Sequence, residues 1–95
     1  MQTYIITYDL CTKVGDVNER YNDITAEFSK FAKAVKLAES SYLVLTSYDR
    51  GTVYNNIRRH MTYSDILFVA DIKSGAHWSD SCLASKNAII DVLCA

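Results

Sequence analysis

The chain contains no proline and only three glycines in its 95 residues. Average usage would put about five prolines in a chain of this length. Proline fixes φ and removes a backbone donor, so its absence leaves little to interrupt hydrogen-bonded elements. The expectation is a chain of regular elements joined by short turns. With 95 residues it forms one domain, 1–95, with no room for a second core. Apolar residues make up 49%, which suffices for a packed interior and excludes a disordered chain.

Periodicity orders these elements. Over residues 3–9, Tyr4, Ile6 and Tyr8 alternate with Thr3, Ile5, Thr7 and Asp9, the period of a strand. After the loop CTKVGD, Asp16 is a candidate helix cap. The apolar positions Val17, Tyr21, Ile24, Phe28, Phe31 and Val35 follow at steps of 4, 3, 4, 3 and 4. That spacing predicts an amphipathic helix of about five turns over 17–35. Glu19, Arg20, Asp23, Glu27, Lys30 and Lys33 are expected on its solvated face. Residues 36–38 read as a short strand, with a turn or bulge at Glu39–Ser40, and 41–47 as a longer one. Thr52 is a candidate cap for a second helix carrying Val53, Ile57 and Met61. Residues 65–72 form another strand, and Ser79 or Ser81 can start a last helix bearing Cys82, Leu83, Ile89, Ile90 and Leu93.

The order is strand, helix, two strands, helix, strand, helix. This is an α+β pattern matching a ferredoxin-like βαββαβ antiparallel sheet with helices on one face, plus a C-terminal helix. A sheet covered on one side needs a cover on the other. A symmetric homodimer is the simplest one, and seven Tyr, three Phe and one Trp suit an interface.

In the segments YIITYDL, SSYLVLT and SDILFVADI, followed by Trp78, the chain resembles the small ferredoxin-like family that contains the smaller subunit of the CRISPR spacer-integration complex. It is more similar still to that family's free-standing SinR-like relatives. The segments cover about a quarter of the chain. The resemblance implies a homodimer with its two sheets stacked face to face. It also implies, for nuclease members, that the Asp ending the first strand binds metal together with its symmetry mate; here that position is Asp9. Two features depart from the family. Leu10, Cys11, Thr12 and Lys13 follow Asp9 where basic residues are usual, and a predicted helix replaces the C-terminal strand that swaps onto the partner.

The candidate site residues follow from these positions. Asp9 and Asp65 fall at one end of the expected sheet, where two carboxylates could share Mg²⁺. Asp9 is then the candidate catalytic residue for phosphodiester cleavage. The plain alternative is that Asp9 caps a loop and Asp65 begins a strand. Arg58 and Arg59, with His60, form the one basic cluster and are candidate nucleic-acid contacts. For His60 the helix C-terminal dipole is the expected partner. Asp71 lies within an apolar strand, so a Lys or Arg partner is expected. His77 reads as an exposed loop histidine. Cys11, Cys82 and Cys94 lack any C-x-x-C spacing and read as reduced thiols.

The formal net charge of −1 argues against broad recruitment of a polyanion. The N-terminus lacks a signal-peptide pattern and no apolar run could span a bilayer, so a cytoplasmic protein without membrane contact is the expectation. Two functions stay open. One is a homodimeric interaction protein that binds or regulates another macromolecule, with no cofactor. The other is a weak Mg²⁺-dependent endonuclease acting on RNA or DNA through Asp9 of both protomers.

Overall fold

A computed structural model describes residues 1–73 and 75–94. The elements are β1 (Gln2–Asp9), α1 (Val17–Phe28), β2 (Lys33–Ala38), β3 (Ser41–Thr46), α2 (Arg50–Arg58), β4 (Ile66–Asp71) and α3 (Lys86–Leu93). The four strands form one antiparallel sheet in the order β2-β3-β1-β4. This is a small α+β protein, compatible with a ferredoxin-like arrangement.

α1 starts where expected. Gly15 adopts φ 59, a left-handed turn that disfavours any other residue. Asp16 then accepts from the Glu19 amide at 3.2 Å and caps the helix. The helix ends at Phe28, however, about two turns short of the expected 35. The Lys30 and Phe31 amides donate back to the Glu27 and Phe28 carbonyls and close the last turn tightly. Phe31 and Val35 kept the helical spacing for separate reasons. Phe31 plugs the same core from the turn, whereas Val35 sits in β2 opposite Leu43. β2 is therefore longer than the three residues expected. Asp49, rather than Thr52, caps α2 and accepts from the Thr52 amide at 2.7 Å. Ser85, rather than Ser79 or Ser81, caps α3. The hydroxyls of Ser79 and Ser81 instead meet each other at 2.9 Å in the loop before it.

Two apolar clusters lie on opposite faces of the sheet. On the first face Tyr4, Ile6, Tyr8 and Val44 pack against Ile24 and Phe28 of α1 and Val53 and Ile57 of α2. Ile24 and Ile57 have no exposed surface, so truncating either to Ala should cost about 2–5 kcal/mol. On the second face Leu43 and Leu45 pack against Ile89 and Val92 of α3, with Val35, Leu37, Trp78 and Cys82 around them. The expectation of helices on one face thus needs correction, because α3 lies on the other. β3 explains this: Leu43, Val44 and Leu45 are all buried, so the strand is apolar on both sides and needs both covered.

α3 packs mainly on β2 and β3. Among the described residues much of the β1–β4 half of that face is left uncovered. Strand register aligns Ile5 with Ala70, Thr7 with Phe68 and Asp9 with Ile66 there. Ile66 is 61% exposed and Phe68 59%.

Candidate functional site

Asp9 and Asp65 lie at the same end of the sheet but face away from each other. Asp9 is opposite Ile66 in the β1–β4 register, so Asp65 comes one residue beyond that pair. Strand side chains alternate between faces. Asp9 accordingly stands exposed on the bare face, while Asp65 turns inward beneath α1.

Asp65 is fully engaged there. Its Oδ1 accepts from the Cys11 amide at 2.7 Å and its Oδ2 from the Thr62 amide at 2.8 Å. Arg20 Nη2 donates to Oδ1 at 3.4 Å, and Nε approaches Oδ2 to 3.0 Å as an ion pair, off the line needed for a hydrogen bond. Arg20 also donates to the Val14 and Cys11 carbonyls, and Arg58 donates to the Asp65 carbonyl at 2.9 Å. Burial would raise the Asp65 pKa, but the two amides and the Arg20 charge outweigh it and hold it below the usual carboxylate range. This arrangement joins the end of β1, the start of α1 and the entry to β4. Its acceptor positions are spent on the protein, so of these two carboxylates Asp9 is the one left open to an ion. Among the described residues, no group of three or more His, Cys, Asp or Glu side chains is placed to hold a metal ion.

The two arginines of the basic cluster separate. Arg58 is half-buried, tied to the Asp65 carbonyl and 3.6 Å from the Met61 sulfur. Arg59 projects the other way, and its Nη2 donates to Glu27 Oε1 at 2.6 Å. His60 Nε2 lies 2.9 Å from the same oxygen, and Lys30 Nζ 3.1 Å from it. His60 is therefore held by a carboxylate on α1 rather than by the end of its own helix. The Glu27 side chain is 5% exposed, whereas those of Lys30 and Arg59 are 53% and 58% exposed. Burial pushes the Glu27 pKa up. The bonds from His60, Arg59 and Lys30 more than reverse this and lower it to about 2.

The remaining candidates resolve simply. Asp71 pairs with Arg50 at 3.0 Å and with Lys73 at 3.5 Å, the basic partners expected. This pair spans an open cleft of about 430 Å³ beside Tyr4, Ser47 and Asp49. His77 is exposed, and Trp78 packs against the second cluster. All three cysteines are free; Cys11 and Cys82 are half-buried and Cys94 is exposed. Among the described residues no helix is long and apolar enough to cross a membrane.

No family model, curated protein or solved structure matches this chain.

Two buried charges, Arg20 and Glu27, were expected on the solvated face of α1 and are not there. A signal existed. Arg20, Ile24 and Glu27 are spaced by 4 and 3, so both charges fall on the stripe of a core isoleucine. A charge on an apolar stripe must find a partner, and each of these does.

Proposed function

We propose that this chain is a small homodimeric interaction protein on a ferredoxin-like scaffold, binding or regulating another macromolecule in the cytoplasm without chemistry of its own. The element order and the strand order β2-β3-β1-β4 support the scaffold. The observation that carries the dimer is the half-bare sheet face. Ile5, Ile66, Phe68 and Ala70 form an uncharged, largely apolar strip, with Thr7 beside Phe68 and Asp9 at its end. An uncharged strip matches a second copy of itself, and stacking two of them removes large apolar side chains from water. In this arrangement Asp9 is a rim residue. The slightly acidic net charge favours a protein over a nucleic acid as the further partner.

The same geometry favours one second reading. Asp9 is exposed on the face that would meet its copy, so the two Asp9 side chains could lie close enough to share Mg²⁺. Asp65 takes no part in that site, being held by Arg20.

Light scattering at micromolar concentration should give about twice the 10.7 kDa chain mass. Phe68→Ser should shift this to the mass of a single chain while leaving the fold intact, since Phe68 is mostly exposed. A wild-type monomer at that concentration would refute both readings. In the dimer, Mg²⁺-dependent cleavage of RNA or DNA that is abolished by Asp9→Asn would establish the nuclease reading over the binding one.

A further inference from the structure

We propose that Lys30, Arg59 and His60, gathered around Glu27, form a binding site for a single phosphate group of the phosphomonoester type. The site lies on the helix layer, on the opposite side of the sheet from the bare face, and stands whether or not the chain dimerises.

Burying one carboxylate requires one good cationic partner. Glu27 has three basic groups within 3.1 Å of one of its oxygens. One carboxylate cannot neutralise them all. The surplus is one positive charge with His60 neutral and two with His60 protonated. Nor is that surplus hidden: more than half of the Lys30 and Arg59 side-chain surface faces solvent. Arg59 Nε also donates to His60 Nε2 at 3.4 Å, which ties the two side chains together. The Lys30 and Arg59 charges converge on one carboxylate oxygen, and a second anion beside them offsets their mutual repulsion.

Glu27 acts as the organiser. It fixes two long, flexible side chains in one direction, which lowers the entropy lost when they bind a ligand. The Arg59 guanidinium uses Nη2 on Glu27 and Nε on His60, and leaves its remaining Nη donors for a second oxyanion. The Lys30 ammonium likewise has three donors, of which Glu27 takes one. A phosphomonoester near pH 7 carries close to two negative charges and three acceptor oxygens, which matches this set. A polyanion matches it poorly. Arg58, the next basic residue, turns inward to the Asp65 carbonyl, so it does not extend the cluster into a stripe along α2.

The test is an NMR titration of the full chain at constant ionic strength, following the Arg59 Nε–H and His60 ring signals. The probes are inorganic phosphate, O-phosphoserine and a single-stranded oligonucleotide. Phosphate and phosphoserine should each give saturable shifts confined to the cluster, with dissociation constants on the order of 1 mM. Lys30→Ala combined with Arg59→Ala should weaken both by about tenfold or more. The double variant leaves buried Glu27 with His60 alone. Arg59→Gln, which keeps a donor for Glu27 but loses the charge, is therefore measured beside it and should also weaken both ligands. Unchanged amide shifts elsewhere in the spectrum verify each fold. Shifts that never saturate, or that persist in the double variant, would overturn the proposal. So would tighter binding of the oligonucleotide than of phosphoserine, since that would make the surface a nucleic-acid contact.

Discussion

Asp65 and Glu27 are the buried carboxylates among the described residues, and they are held in contrasting ways. Asp65 is matched: two amides and one arginine, itself buried, spend their donors on it. Glu27 is outnumbered by three basic groups, two of them largely exposed. Both pKa values are lowered against the pull of burial. The contrast teaches that a lowered carboxylate pKa does not by itself indicate function. What distinguishes the two is where the counter-charge points. At Asp65 it is enclosed and ties three chain segments together. At Glu27 part of it is offered to solvent.

The largest effect should come from separating the matched pair. Arg20→Ala leaves Asp65 buried without its cation and frees the Val14 and Cys11 carbonyls that Arg20 also serves. A loss of about 3–5 kcal/mol is expected in urea denaturation. A loss under 1 kcal/mol would mean that the two amides alone hold Asp65, and that the contrast is overstated.

Glu27→Gln should cost less, about 1–2 kcal/mol at pH 7. The amide keeps an acceptor, and the freed Lys30 and Arg59 return to water. The cost should also depend on pH. The folded-state pKa of about 2 lies below the ordinary 4.5, so the folded protein holds this proton less tightly than the unfolded chain does. Glu27 therefore stabilises the fold fully above about pH 4.5, and loses that contribution as pH falls toward 2. The stability gap between wild type and Glu27→Gln should close over that window. A gap that stays constant down to pH 2 would show that the carboxylate is not charged against its three partners.

The smallest effect belongs to Lys30→Ala, at about 0.5 kcal/mol or less, because Lys30 is exposed and two basic partners remain on Glu27. A loss above 1 kcal/mol would make Lys30 part of a matched set like that of Asp65, and would remove the surplus charge on which phosphate binding depends.

Local pattern alone carried β1, β3, β4 and the start of α1, but it misplaced the caps of α2 and α3, which are Asp49 and Ser85. The period-two run ending at Asp9, the cap at Asp16 and the alternation of Ile66, Phe68 and Ala70 with Leu67, Val69 and Asp71 all depend on neighbours within a few residues. Such periodicities survive into the fold because they express backbone geometry. The end of α1 did not follow from pattern, since Phe31 and Val35 kept helical spacing although one fills a turn and the other a strand. Choosing between those states requires the pairing of Lys33 with Leu45, which lies outside any local window. The side of the sheet taken by α3 was equally non-local, because it depends on which half of β3 remained uncovered. The same holds for the candidate sites. Asp9, Asp65, Arg58 and Arg59 were visible as residue types, but only the tertiary structure turned Asp65 toward Arg20 and Arg58 toward a backbone carbonyl. It also brought Glu27 and His60, 33 positions apart in the chain, to 2.9 Å. Sequence spacing limits what one element can present; which charges meet, and which are left over, depends on how the elements pack.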